Sequence, residues 1–240
     1  MRFLQPVLAL VLLLVCTSLL AQRKCAAVEY QDLKRQTGKV LESDEQFEQA
    51  LADKIRERKK NKLNKLTTGV PYRIPVVVHV IHNGEAVGVG RNISDEQIIS
   101  QIEVLNKDFN RLNTDASNTP AEFLSVASNL NVEFVLAKQD SIGNCTNGIV
   151  RVNGKRDQWP LGRELEFKAL SYWPAEDYLN IWVTSLSGGF IGYAQLPVTN
   201  LIGGLDVTNN NRLTDGVVIH YQAFGTGSGF NLISSYNLGR

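Results

Sequence analysis

The stretch IPVVVHVIH, Ile74 to His82, is apolar on both alternating faces and rich in β-branched residues. That pattern describes a central strand covered on both sides. A turn, NGEAVGVGRN, leads into a segment whose apolar positions switch to helical spacing, with Ile98, Ile102, Leu105, Phe109 and Leu112 along one side. Ser94 with Gln97 three positions later is a capping-box start for this helix. A buried strand followed by an amphipathic helix predicts a layered arrangement in which the helix lays its stripe on a sheet. Pro120 to Ser128 reads as a second, short helix and Gly162 to Leu170 as another. Further strands are expected at Val132 to Lys138, Gly148 to Val152, Tyr178 to Leu186 and Gly216 to Tyr221, separated by Gly, Asn and Pro. The expected fold class is α/β (α+β), a twisted mixed sheet with packed helices, in one domain over 69–240 that begins close to Tyr72.

The pattern before Tyr72 is different. An almost unbroken apolar run from Val7 to Leu20 follows Arg2, and Ala21 and Gln22 lead at once to Arg23 and Lys24. The run is shorter than the roughly 20 apolar residues of a membrane span, and residues 1–21 read as a secretory signal peptide cut after Ala21, with an uncleaved anchor as the alternative. From 22 to 68 the composition turns charged and polar. It contains one helical stripe, Phe47, Leu51 and Ile55, with Ser43 as N-cap and Gln46 three residues on. The helix runs into KIRERKKNKLNK, where Lys54, Arg56, Arg58, Lys59, Lys60, Lys62 and Lys65 outnumber Glu57. Such a run is either a solvated helix end or a segment exposed to proteolytic processing.

Composition narrows the function. A formal net charge of +1 over 240 residues gives no reason to expect a nucleic-acid partner, and 43% hydrophobic residues suffice for a core. Export would leave Cys25 and Cys145, which either pair with each other or remain single, with a partner for Cys145 lying elsewhere. His79 and His82 sit three apart on a strand, so their side chains leave opposite faces and do not converge on one metal. His220, in VVIHY, faces either a core or a cleft. Three histidines of this kind do not supply the three protein ligands of a catalytic zinc. No GxSxG, GxxxxGK or CxxC occurs. The FGTGSGF stretch, Phe224 to Phe230, lacks dinucleotide-loop spacing and reads as a flexible loop. The sequons Asn92-Ile-Ser94 and Asn144-Cys-Thr146 matter only in a host that glycosylates exported proteins.

Three segments resemble the pappalysin family of metzincin zinc metalloproteases, in its cytophagalysin-like bacterial branch. YRIPVVVHVIHN with the helix ISDEQIISQIEVLNKDFNRLN is similar to the opening strand and long helix of that catalytic domain. YLNIWVTSLSGGFIGYAQLP, Tyr178 to Pro197, is similar to the strand at the upper rim of the cleft, against which substrate lies extended and antiparallel. DGVVIHYQAFG and its loop to Arg240 resemble the approach to the zinc-binding helix. The resemblance implies a metzincin-type N-terminal subdomain preceded by a pro-segment over 22–68. It implies that Gly192, Tyr193, Ala194 and Gln195 line the non-primed, substrate-binding side of the cleft. The family motif His-Glu-x-x-His-x-x-Gly-x-x-His is not in this sequence, which has the look of a chain cut just before it. RKCAAVEY, Arg23 to Tyr30, is similar to the family's propeptide, in which a cysteine thiolate caps the zinc, so Cys25 is either a latch ligand in the zymogen or merely unpaired. Ala26 follows it where related latches often have Gly.

The resulting expectation is a secreted, zinc-dependent metalloendopeptidase in zymogen form, acting on peptide or protein substrates without nucleic acid or stable membrane association, and inactive as 240 residues because the zinc ligands are absent. A family calcium site would also fall outside this chain. The rival expectation is a non-enzymatic secreted binding protein or a degenerate fragment of such a peptidase.

Overall fold

A computed structural model of the chain describes residues 24–37, 70–195 and 212–236, together with isolated helical positions between 49 and 60. The expected signal peptide, the stripe formed by Phe47 and Leu51, and most of the basic run lie outside the described residues. Strand β1 is Lys24–Cys25, helix α1 Ala27–Gln36, β2 Tyr72–His82, α2 Asp95–Phe109, β3 Val132–Leu136, β4 Ile149–Asn153, α3 Glu164–Lys168, β5 Leu179–Thr184, β6 Phe190–Gln195 and β7 Gly216–His220. The strands form one mixed sheet in the order β1-β6-β7-β5-β2, after which β2 takes β3 along its first half and β4 along its second. Among the described strands, β6–β7 is the antiparallel pairing and the other pairings are parallel.

The doubly apolar β2 is central, as its pattern requires. Val76, Val77, Val78, His79, Val80 and Ile81 are all buried. Val76, Val78 and Val80 point to one face, where they meet Ile98 and Ile102 of α2 along with Phe134, Ile181 and Phe224. Ile81 points to the other, into a second cluster built from Trp159, Phe167, Trp182, Leu186, Tyr193 and Val218. That second cluster also contains Ala26 and Tyr30. The polar N-terminal segment therefore supplies part of the core of the domain that follows it.

Helix α2 begins where its sequence places it, with Ser94 Oγ accepting from the Gln97 amide. The capping box is half made, because the Gln97 side chain turns away and donates to the Tyr221 and Phe224 carbonyls. The predicted stripe ends early. Leu112 lies past the helix end and is exposed. Pro120 to Ser128 forms one 3-10 turn, Ala121–Phe123, and not a regular helix. The Gly-rich loop is also not the free loop its composition suggests. Phe224 is fully buried, the Gly225 amide donates to Gln101 Oε1 at 2.7 Å and the Thr226 amide to Ser100 Oγ at 3.0 Å, so α2 holds the start of this loop.

Cys25 and Cys145 are both exposed free thiols, so they do not pair with each other. Of the two sequons, Asn92 is closed to modification. It is buried, donates to the Glu85 carbonyl and accepts from Arg151.

Candidate functional site

The four residues expected to hold substrate, Gly192, Tyr193, Ala194 and Gln195, lie on β6, whose one flank pairs with β7. Gly192 is fitted to that pairing. A Cβ there would stand 2.6 Å from the Val218 carbonyl oxygen, so a larger residue would push β7 away. The other flank of β6 would be a sheet edge, and an edge strand offers a row of main-chain donors and acceptors to any extended chain.

In this chain the edge is taken. β1 runs parallel to β6 with Lys24 opposite Phe190 and Cys25 opposite Gly192. The Lys24 amide donates to the Gly189 carbonyl at 2.9 Å and the Ala26 amide to the Gly192 carbonyl at 2.9 Å. Immediately after Ala26 the chain turns into α1, whose acidic first turn carries Glu29. Glu29 pairs with Lys24, and that contact holds its carboxyl below the usual range.

Helix α1 covers the rest of the β6 edge through two side chains one turn apart. Tyr30 stacks on Tyr193 with ring centroids 4.7 Å apart. Its hydroxyl lies 2.9 Å from Glu164 Oε1 and 3.1 Å from Gln195 Oε1, and donates its single proton to one of them. Lys34 Nζ donates to the same Glu164 oxygen at 2.7 Å. Both partners of this ion pair are shielded, with side-chain exposures of 11% for Lys34 and 3% for Glu164. Burial alone would raise the Glu164 carboxyl, but Lys34 and the Tyr30 hydroxyl hold it below the usual carboxylate range. Burial, with the Glu164 charge beside it, pushes the Tyr30 phenol upward, so it stays a donor. Gly162 completes the fit. It has φ +88°, and a Cβ there would fall 2.6 Å from Leu33 Cδ2 of α1.

Beneath this contact lies a buried polar group that the sequence did not single out. Lys168 is fully buried, donates to the Thr214 carbonyl at 2.5 Å and sits 4.5 Å over the Trp182 ring. Burial pushes its pKa down to about 7. His79 stacks on the same indole at 4.9 Å, its Nε2 is 2.8 Å from Asn180 Oδ1, and burial pushes it down to about 4. His82 faces the opposite side of β2 and His220 is buried, so the three histidines stay apart. Among the described residues there is no group of three His, Cys, Asp or Glu suited to a metal ion. The described residues therefore do not fit a zinc site, and no hydrolytic step is assigned to them.

The chain is similar to three solved mirolysin structures. Mirolysin in complex with compound 9 is 42% identical, with a TM-score of 0.59, over 71% of this chain and 59% of that one. Tannerella forsythia mature mirolysin in complex with a cleaved peptide is 42% identical, with a TM-score of 0.60, over 71% of this chain and 60% of that one. A mutant of Tannerella forsythia promirolysin is 36% identical, with a TM-score of 0.65, over 90% of this chain and 65% of that one. No protein-family model matches, and no curated protein does. The fold is the metzincin fold, in which a mixed sheet carries packed helices. The chain is similar to the mirolysins at 36% to 42% identity and spans between 59% and 65% of the length of these three structures.

Proposed function

We propose that this chain comprises the pro-segment and substrate-side subdomain of a secreted, zinc-dependent metalloendopeptidase of the pappalysin type, held latent by its own N-terminus. The observation that carries the reading is the pairing of β1 with β6, which fills the edge that an extended peptide would use. In this reading Gly192 to Gln195 bind substrate through the main chain. Cys25, exposed and unpaired opposite Gly192, is the latch ligand. Zinc would be held by residues outside these 240, which contain no His-Glu-x-x-His.

Two features of the relatives support this assignment. The promirolysin match covers 90% of the chain and the mature match 71%, and the difference of about a fifth of the chain is close to the length of the stretch from β1 to Tyr72. That agrees with a boundary between pro-segment and catalytic domain near 68. The mature structure holds a cleaved peptide, which supports peptide substrates. Export rests on the apolar run from Val7 to Leu20.

The test is to read the coding sequence past the Arg240 codon and assay the natural product. An in-frame His-Glu-x-x-His is expected, with chelator-sensitive peptide cleavage that appears only after a cut between 56 and 72. A stop codon reproduced in independent clones, or cleavage indifferent to chelators, would overturn the reading.

A further inference from the structure

We infer that Glu164 is the floor of a subsite for a cationic side chain, which Lys34 fills in this chain and a lysine or arginine of a bound peptide fills once the pro-segment has gone. The inference rests on the reading of β6 as the peptide-binding edge. Glu164 is buried, and the side-chain partners of its Oε1 among the described residues, Tyr30 and Lys34, both belong to α1. Its Oε2 is buried with no hydrogen-bond partner among the described residues. Departure of α1 would remove both partners and leave a carboxylate walled by protein on its remaining sides. A half-enclosed carboxylate that has lost its paired cation favours a ligand that brings one.

Geometry says which ligand. The Tyr30 hydroxyl lies within hydrogen-bond distance of both Glu164 Oε1 and Gln195 Oε1, so the carboxylate stands one side-chain hydroxyl away from the last residue of β6. β1 itself stops pairing at Cys25, opposite Gly192. A peptide continuing along the edge past Gly192 would therefore bring a side chain to the place that Tyr30 and Lys34 now hold. Tyr193, freed of its stack, would present a ring face beside the carboxylate, and a cation is attracted to both. Lys168 does not substitute for the lost cation. Its Nζ donates to the Thr214 carbonyl and lies against the Trp182 ring, so its charge reaches Glu164 only through space and it makes no hydrogen bond to the carboxylate.

The test uses the whole chain with a site-specific protease sequence inserted between 61 and 69 and then cut, so that the pro-segment remains as a non-covalent plug. Its displacement is titrated with two otherwise identical extended peptides, in which one position is lysine or norleucine, the position being moved along the peptide. At one position the lysine peptide should displace the plug at about tenfold lower concentration, the range of a charge-assisted pair. Glu164→Gln should erase that difference, and Lys34→Met, which leaves the carboxylate in place, should lower the lysine peptide's concentration further. Equal displacement by both peptides at every position, a preference that survives Glu164→Gln, or no effect of Lys34→Met would overturn the subsite alone. Failure of either peptide to displace the plug would overturn the β6 reading and the subsite with it.

Discussion

Tyr30 stacks on Tyr193 at 4.7 Å, across 163 positions of sequence, and joins the N-terminal helix to the strand expected to bind substrate. Both rings are buried, at 4% and 3% exposure. Replacing Tyr30 by alanine removes a buried aromatic and should weaken docking of α1 by about 3 kcal/mol, the usual cost of such a truncation. Tyr30→Phe keeps the stack and loses one hydroxyl, for about 1 kcal/mol. Limited proteolysis within 27–36 would read the order, with alanine cut fastest and wild type slowest.

The ion pair between Lys34 and Glu164 should behave as a buried pair, because both ends are shielded. Lys34→Met strands the carboxylate and should cost about 3 kcal/mol, whereas Lys34→Met with Glu164→Leu should recover part of that loss. Denaturant midpoints around the double-mutant cycle would show it, and additive losses would indicate that the two side chains do not interact.

The buried Lys168 sets a direction for pH dependence. Its pKa falls from 10.5 unfolded to about 7 folded, so between those values the unfolded chain binds the extra proton and stability rises with pH. From pH 6 to 8 this group alone should add about 1.4 kcal/mol. His79, lowered from 6.5 to about 4, acts with the same sign between those values. Unfolding midpoints should therefore climb from pH 4 to pH 8, and Lys168→Met should flatten the upper part of that climb.

Gln97 ties the Gly-rich loop to α2 by donating to two carbonyls, Tyr221 and Phe224. Gln97→Ala leaves both without this donor and should cost about 2 kcal/mol. Amide exchange at 224–226 should speed up with it, and unchanged protection there would contradict the anchoring role.

Much of the scaffold was legible because it follows from local periodicity. The doubly apolar run gave β2, and the 3.6-residue stripe behind Ser94 gave α2, each within a few residues. The site was less legible. In sequence Lys34 and Glu164 are ordinary charges 130 positions apart, and only the fold makes them a buried pair. Lys168 reads as a helix-end cation, and its burial under Trp182 is a tertiary fact. The helix Ala27–Gln36 passed unnoticed because its contact face is just Tyr30, Leu33 and Lys34, too few apolar positions for a stripe. β6 was found only through family resemblance, since FIGYAQ is short and interrupted by glycine.

The central claim is that the N-terminal segment holds the β6 edge against peptide. Its most direct test is the anisotropy of a fluorescent extended peptide titrated into the full chain, wild type and Tyr30→Ala/Lys34→Met, with release of α1 in the variant confirmed by proteolysis within 27–36. The account predicts no saturable binding to wild type and clear saturable binding to the variant. Equal binding to both, or none to a variant whose α1 has been released, would contradict it.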